Sequence, residues 1–120
     1  MVFFLPRTRR ELGWFRAASV NAGITEELIF RGFLLWYLEP YVGLAWAAVI
    51  AVVVFTLGHA YQGVANLPAL ALASAAFVGL YLWSGSLLLP IVVHALVDVM
   101  NGNALARAAW AQSIKQPAPG

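Results

Sequence analysis

Six polar residues that could carry out or support a reaction are spread along an otherwise apolar chain of 120 residues. In chain order they are Glu26, Glu27, Arg31, His59, His94 and Asp98. A carboxylate that can act as a base, two imidazoles, and a second carboxylate that can orient a histidine form a set suited to hydrolysis. The sequence therefore predicts a hydrolytic site, if three separate segments bring these side chains together.

The first segment carries an ion pair and one further carboxylate. Glu27 and Arg31 are four residues apart, so on a helix they lie on one face and can neutralise each other. Glu26 is rotated by about 100° from Glu27 and is the carboxylate left for chemistry. Taken alone, the segment also fits an ordinary helix start with Thr25 as N-cap. A helix over 26–38 would be only about 20 Å long, so either the helix begins earlier and buries the glutamates or it does not span a membrane.

The two histidines lie on later segments. His94 and Asp98 are four residues apart, so Asp98 can accept a hydrogen bond from one ring nitrogen of His94 and fix the orientation of the ring. His59 follows Phe55 by one helical turn, so the aromatic ring can pack beside it. Two alternatives stay open: His94 and Asp98 could clamp two helices together, and His59 could be an interfacial histidine at a helix end.

The chain is far more apolar than a soluble domain. It is 62% hydrophobic and 10% charged, with a mean hydropathy of +0.82, whereas soluble domains average about half apolar and about a quarter charged. No charged side chain occurs between Glu39 and Asp98. An uncharged run of this length cannot cover the surface that a small soluble domain exposes to water, so the lipid bilayer is the expected solvent.

The apolar segments predict an all-α, polytopic membrane protein with a single domain, 1–120. About four transmembrane helices are expected, because a spanning helix needs about 20 residues and no segment alternates apolar with polar residues as a membrane strand would. Residues 1–16 are expected to form an interfacial or juxtamembrane segment and 112–120 a loose tail. The predicted bounds of the helices are 17–38 (ending before Glu39-Pro40), 42–61 with an extension to 65, 67–83, and 86 or 87–111.

Both ends of the chain are basic, which indicates the orientation in the membrane. An even number of spans places both ends on one side, and the excess of arginine and lysine predicts that this side is the cytoplasm, with the plasma membrane as the expected location. The basic residues do not spread over one face, so nucleic acid is not an expected partner. Apart from Arg31, they are Arg7, Arg9, Arg10 and Arg16 at the start, and Arg107 and Lys115 near the end.

The third predicted helix carries a stripe of small residues. Ala69, Ala73, Ala76 and Gly79 share one helix face, and such a stripe either lets a neighbouring helix approach closely or reflects the abundance of alanine in this segment.

The expected depths of the candidate site residues in the membrane agree only roughly. Counting from the predicted helix ends puts Glu26 and His59 in the cytoplasmic half and His94 nearer the other face, so tilt or a shifted boundary must bring them together.

Taken together, the residues resemble the CPBP family of intramembrane proteases, which includes type II CAAX prenyl endopeptidases and bacteriocin-processing relatives. The resemblance lies in the order of the three motifs and in the stretches RTRRELGWF, AGITEELIFRGFL and IVVHALVD, between Arg7 and about Asn101. It implies a membrane-embedded endopeptidase that cuts membrane-associated or CAAX-like protein substrates. Family members commonly have further N-terminal membrane helices, so this chain is expected to hold only the motif-bearing core.

The resemblance implies catalytic roles for four residues. Glu26 would activate the attacking water with the help of His59, while Glu27 would pair with Arg31 to hold the first motif. His94 and the residue at position 98 would stabilise the oxyanion.

Position 98 departs from the pattern, because some relatives have asparagine there. An ionised Asp98 cannot donate a hydrogen bond to an oxyanion, so it is expected to orient His94 or to bind a metal. Two mechanisms stay open. The chain has no cysteine, but Glu26, His59 and His94 could bind Zn²⁺ and leave one position for water, or the same groups could act without a metal.

Two other functions fit the same residues. A non-catalytic immunity or scaffold protein of this fold could bind a partner through the same cavity and keep the polar network for helix packing. A fragment of a transporter could use the Glu, His and Asp side chains as a proton path. A transporter is expected to show inverted repeats or helices broken by Gly and Pro in matching halves, and the sequence shows neither.

Overall fold

The computed structural model describes residues 6–115, and the regular elements among them are all helical. The prediction of an all-α chain is therefore confirmed. In chain order the elements are α1 (Arg9–Glu27), a π-helical segment (Leu28–Leu34), α2 (Leu35–Val42), α3 (Leu44–Gly58), two 3₁₀ turns (Ala60–Gln62 and Val64–Asn66), α4 (Leu67–Ser84) and α5 (Leu88–Lys115).

The first helical stretch begins earlier than the sequence predicted and continues unbroken through α1, the π-helical segment and α2. Thr8 caps it, because the Thr8 hydroxyl oxygen accepts a hydrogen bond from the backbone N–H of Glu11 at 3.1 Å. Thr25, the alternative helix start, lies inside α1 and donates its hydroxyl to the carbonyl of Asn21. The interpretation of Thr25 as an N-cap is therefore wrong, and the two glutamates lie at the end of α1, inside a longer helical stretch.

The same stretch runs past Pro40, where it was predicted to stop. Pro40 lies in the last turn of α2. Because proline has no backbone N–H, only a single hydrogen bond is lost, close to the helix end. The stretch ends at Gly43, whose N–H donates to the carbonyl of Glu39 at 2.9 Å. Gly43 has a φ of 80°, a conformation that glycine adopts at little cost, and this residue rather than Pro40 separates the first two helices.

The later elements follow the prediction more closely. α4 agrees with the predicted 67–83 to within one residue and ends at Gly85, a left-handed residue with φ 66°. α5 extends to Lys115, so the part of the predicted tail up to 115 is helical, whereas 116–120 lies outside the described residues. Likewise, 9–16 of the predicted juxtamembrane segment is not a separate element but forms the first turns of α1, and 1–5 lies outside the described residues.

Two helical stretches are long and apolar enough to cross a bilayer. They are Val64–Ser84, with a mean hydropathy of 1.6, and Leu88–Ile114, with a mean hydropathy of 1.5. α3 has 15 residues, fewer than the about 20 that a span needs, and the first stretch carries three charged residues near its centre. The expected count of four spanning helices is therefore not confirmed. The surface nevertheless exposes many large apolar side chains, as soluble monomers rarely do; among them are Trp36, Tyr41, Trp46, Leu72, Trp83 and Leu88.

α1 and α5 form an antiparallel pair with close backbone contact. Gly23 faces Ala95, and a Cβ atom at position 23 would stand 2.9 Å from the Ala95 nitrogen. Two turns before Gly23, the Arg16 guanidinium donates to Asn103 Oδ1 at 3.0 and 2.9 Å. Because Gly23 precedes Glu27 by one turn and Ala95 follows His94, the close contact fixes how near these two site residues lie.

α3 packs on the other side of the bundle, between α2 and α4. Its buried side chains Ala47 and Ala51 meet Leu35 of α2 and Val78 of α4 in a small apolar core. α3 thereby holds its last turn, which precedes His59, against the elements that carry the other site residues.

Gly23→Ala is expected to destabilise the protein, although alanine favours a helix over glycine by about 1 kcal/mol. The new methyl group would meet the backbone of Ala95, which cannot move without separating α1 from α5, and such overpacking costs about 1–3 kcal/mol. Gly13→Ala is the matched control, because a Cβ at Gly13 meets nothing within 4 Å. Thermal unfolding of the purified variants in detergent should show a lower Tm for Gly23→Ala and an unchanged or higher Tm for Gly13→Ala. Equal Tm values would contradict the close contact.

Candidate active site

Three helices deliver the predicted site residues to one cavity. α1 ends with Glu26 and Glu27, α3 ends directly before His59, and α5 carries His94 and Asp98 one turn apart. The helical backbone of α3 stops at His59, which has φ −99° and ψ 7°. This change of direction leaves the His59 ring beside the end of α1.

The Glu26 carboxylate lies close to both histidines. Its Oε2 atom lies 3.5 Å from His59 Nε2 and 3.7 Å from His94 Nε2. The Glu26 side chain is 26% exposed, so water can reach the carboxylate. The structure thus brings together Glu26, His59 and His94, which come from separate helices.

The second ring nitrogen of each histidine is held by an acceptor. His59 Nδ1 lies 2.8 Å from the carbonyl oxygen of Phe55, and His94 Nδ1 lies 2.7 Å from Glu27 Oε1. A carbonyl and a carboxylate can only accept, so each Nδ1 carries a proton and donates it. Both Nε2 atoms are therefore the ones that face Glu26 and the cavity, with orientations fixed from behind.

Asp98 does not hold the ring of His94 as the sequence predicted. Its Oδ2 atom lies 3.6 Å from His94 Nε2, longer than a hydrogen bond, and its side chain is partly exposed. Glu27 orients His94 instead, through the 2.7 Å contact to Nδ1. Sequence spacing could not reveal this contact because Glu27 and His94 are 67 residues apart.

The predicted pair of Glu27 and Arg31 is present and fully buried. Arg31 Nη1 lies 3.1 Å from Glu27 Oε1, and both side chains are 0% exposed. Arg31 Nη2 also donates to the carbonyl and the hydroxyl of Ser74 in α4, at 3.1 and 2.8 Å. The rings of Phe55 and Phe77 lie 4.7 and 5.4 Å from the guanidinium carbon.

Sequence reasoning did not identify Ser74 as part of the site. The residue is fully buried, and its hydroxyl links α4 to the pair on the first helical stretch. A lone serine in the middle of the apolar segment 67–83 was the available signal, since a buried hydroxyl needs a partner.

A π-helical segment begins directly after Glu27 and contains Arg31. π-helical turns are rare and occur often at functional sites, where the extra residue in the turn changes the direction of neighbouring side chains. Hydrophobic periodicity in the sequence does not distinguish this turn from an α-helix, so it was not predicted.

The site opens into a cavity of about 460 Å³ between α1, α4, α5 and the 3₁₀ turns. Ala69 and Ala73 of the small stripe line this cavity, and a Cβ at Gly79 would meet nothing within 4 Å. The stripe therefore does not mediate the close helix contact that was one of its two interpretations. The cavity is lined by Phe15, Ala18, Ser19, Ala22, Glu26, Phe55, His59, Tyr61, Gln62, Asn66, Ala69, Leu70, Ala73, Phe77, His94, Val97, Asp98 and Asn101.

The chemistry of the predicted zinc ligands resembles that of a metal site, but their grouping does not. Histidines whose Nδ1–H groups are held by a carbonyl and a carboxylate resemble metal ligands in proteins. Within 6–115, however, no three His, Asp or Glu side chains are grouped closely enough to hold a metal ion. Glu26, His59 and His94 therefore do not form a metal-ligand set in this arrangement.

Comparison with known proteins identifies the family. Residues 8–100 match the family described as "Type II CAAX prenyl endopeptidase Rce1-like". Searches of curated proteins and of solved structures returned no match. The matched range covers most of the chain and includes all six candidate residues. The chain therefore belongs to the Rce1-like family of type II CAAX prenyl endopeptidases.

Proposed function

We propose that this protein is a membrane-embedded endopeptidase that hydrolyses peptide bonds in membrane-associated or CAAX-like substrates. The observation that carries the proposal is the position of Glu26 Oε2, 3.5 Å from His59 Nε2 and 3.7 Å from His94 Nε2, beside a cavity of about 460 Å³. A carboxylate oxygen between two imidazole nitrogens can hold and deprotonate a water molecule. Membership of a protease family supports the same function.

Glu26 and His59 act on the water in this mechanism. Glu26 Oε2 takes one proton of the water as the oxygen attacks the carbonyl carbon of the substrate. His59, with its proton on Nδ1, accepts a hydrogen bond at Nε2 from the other O–H group of the water and fixes the direction of attack. Glu26 then gives its proton to the nitrogen of the leaving amine, so the C–N bond breaks and the carboxylate is restored.

His94 stabilises the negative charge that develops on the carbonyl oxygen. It acts as an imidazolium, whose Nδ1–H donates to Glu27 and whose Nε2–H donates to the oxyanion. Asp98 Oδ2, 3.6 Å from Nε2, compensates the positive charge of the ring. In this role Asp98 stays ionised and does not donate a hydrogen bond, which accommodates the difference from relatives with asparagine.

The pairing of the two ends of the chain supports the proposed orientation in the membrane. Trp110 Nε1 of α5 donates to the carbonyl of Arg7 at 3.1 Å, so the start of α1 and the end of α5 lie on the same side. Arg9, Arg10 and Arg107 are exposed on this part of the pair. We place it in the cytoplasm, by the positive-inside rule, with the plasma membrane as the proposed location.

The function is tested with purified protein in lipid nanodiscs and internally quenched peptides that end in CAAX sequences, with and without an S-prenyl group. We expect cleavage at one bond, located by mass spectrometry. Folded protein that cleaves none of these peptides would overturn the proposal. A parallel sample with a chelator tests the zinc prediction: loss of cleavage that added Zn²⁺ restores would add a metal to the site.

A further inference from the structure

We propose that Ala22 and Ala73 are specificity-determining residues, which set the size of the substrate side chain next to the cleaved bond. The proposal rests on the proposed endopeptidase function and concerns the same cavity. Both alanines line the cavity, and both lie close along the chain to groups of the candidate active site. Neither has a role in the ion pair, the histidine contacts or the apolar core.

The cavity lies between two helices that run in the same direction. α1 is antiparallel to α5, and α4 is joined to α5 by a short turn after Ser84, so α1 and α4 are parallel. The π-helical segment that continues α1 contacts α4 where Arg31 Nη2 donates to the carbonyl and hydroxyl of Ser74, at 3.1 and 2.8 Å. Neither residue lines the cavity, whose walls are formed by residues 15–26 of α1 and by residues 66–77 at the start of α4.

Each wall is one helix face, with lining residues repeating at about one turn. Between the first and last lining residue, each face covers a helix length of about 16 Å. Such a length accommodates about five residues of extended peptide at about 3.3 Å each. The α1 wall consists of Phe15, Ala18, Ser19, Ala22 and Glu26, and the opposite wall of Asn66, which directly precedes α4, and of Ala69, Leu70, Ala73 and Phe77 in α4.

Ala22 and Ala73 are small cavity-lining residues that lie one helical turn from Glu26 and from Phe77, respectively. Ala22 precedes Glu26 by one turn of α1. Ala73 is followed directly by Ser74 and precedes by one turn Phe77, whose ring stacks on His94 with centroids 4.7 Å apart. A methyl group at each position leaves room that a larger side chain would fill, and a substrate group beside the scissile bond must occupy this room.

The cavity explains why small residues lie on this face of α4. Close helix packing was the other explanation, but Ala69 and Ala73 line the cavity. Ala76 is exposed and lies outside the cavity, although it belongs to the same stripe in the sequence. Small size at position 73 is therefore needed for the cavity, whereas at position 76 it is not.

The test compares Ala22→Leu and Ala73→Leu with the wild-type protein on one peptide series. The peptides differ only at the residue directly before or the residue directly after the scissile bond. The varied residue is alanine, leucine or phenylalanine. We expect the ratio of kcat/KM for the alanine peptide to that for the phenylalanine peptide to rise by about tenfold or more in each variant, at one side of the bond. Ala17→Leu and Ala76→Leu are matched controls, because both alanines are exposed outside the cavity, and the ratio should not change.

If a leucine variant does not fold, the smaller changes Ala22→Val and Ala73→Val replace it in the test. A ratio of kcat/KM values does not depend on the amount of folded enzyme, so a partly folded variant still gives a valid result. A ratio equal to the wild-type value in the folded variants, or an equal loss of cleavage for all peptides, would overturn the assignment of these two residues. If the wild-type protein cleaves no peptide, the proposed function fails instead, so the two failures are distinguishable.

Discussion

Replacing Glu26 or His59 by alanine is expected to abolish peptide cleavage while the protein still inserts and folds. Neither side chain belongs to the buried pair or the apolar core, and their shared contact is the 3.5 Å approach of Glu26 Oε2 to His59 Nε2. A positioned acid or base contributes about 10²- to 10⁴-fold to a rate, so kcat should fall by at least about that factor. The measurement is cleavage of the best CAAX peptide by equal amounts of folded protein in nanodiscs.

The control for Glu26→Ala is Glu39→Ala, because Glu39 is an exposed carboxylate near the end of α2 and should be dispensable. The double variant Glu26→Ala/His59→Ala should be no slower than the single variants, since residues that act on one water do not contribute additively. Normal cleavage by either single variant would contradict the assigned roles. If the protein were instead a non-catalytic immunity or scaffold protein, Glu26→Gln would leave its biological effect intact.

Replacing Arg31 by alanine is expected to give the largest loss of stability. The change leaves Glu27 buried and without its cation, and it removes two hydrogen bonds to Ser74. Breaking a buried ion pair by removing one partner costs about 3–5 kcal/mol. Unfolding of the purified variant in mixed detergent micelles should report a loss of this size.

Two control variants distinguish the effect of breaking the buried ion pair from the effect of removing an arginine elsewhere. Arg10→Ala removes an exposed arginine from α1 and should leave the free energy of unfolding within about 0.5 kcal/mol of the wild-type value. Glu27→Gln combined with Arg31→Met removes both charges, keeps an amide near His94, and should recover part of the loss. An Arg31→Ala variant as stable as the wild-type protein would show that the pair does not hold the three helices together.

Contacts within one helix could be predicted from the sequence. The pairing of Glu27 with Arg31 follows from their spacing of four residues, and the structure contains it at 3.1 Å. The bounds of α4 were predictable too, because Pro68 stands at the start and Gly85 ends the helix in a left-handed conformation. In each case the determinants are neighbours in the chain.

Contacts between helices could not be predicted from spacing. Counting from helix ends placed His94 nearer the far face than Glu26, yet the antiparallel register of α1 and α5, with Gly23 beside Ala95, puts Glu27 2.7 Å from His94. That register depends on close backbone packing, which a single sequence does not display. The contact of Arg31 with Ser74 was missed because it also joins two helices that are distant in the chain.

The length of the second predicted membrane helix was overestimated. The predicted helix over 42–61 counted residues that form α3 together with residues of the first 3₁₀ turn, and the helix itself has 15 residues. The turn at His59 interrupts an apolar run that hydropathy alone treats as continuous. This interruption is also what presents the His59 ring to Glu26.

The claim that Glu26 activates a water molecule to hydrolyse a peptide bond is tested most directly by cleavage in ¹⁸O-labelled water. Wild-type protein and Glu26→Gln are incubated at equal amounts in the same nanodiscs with one CAAX peptide, and the products are read by mass spectrometry. We expect the wild-type product to carry ¹⁸O in its new terminal carboxylate and the Glu26→Gln sample to contain only intact peptide. Equal amounts of labelled product from both proteins would contradict the role of Glu26.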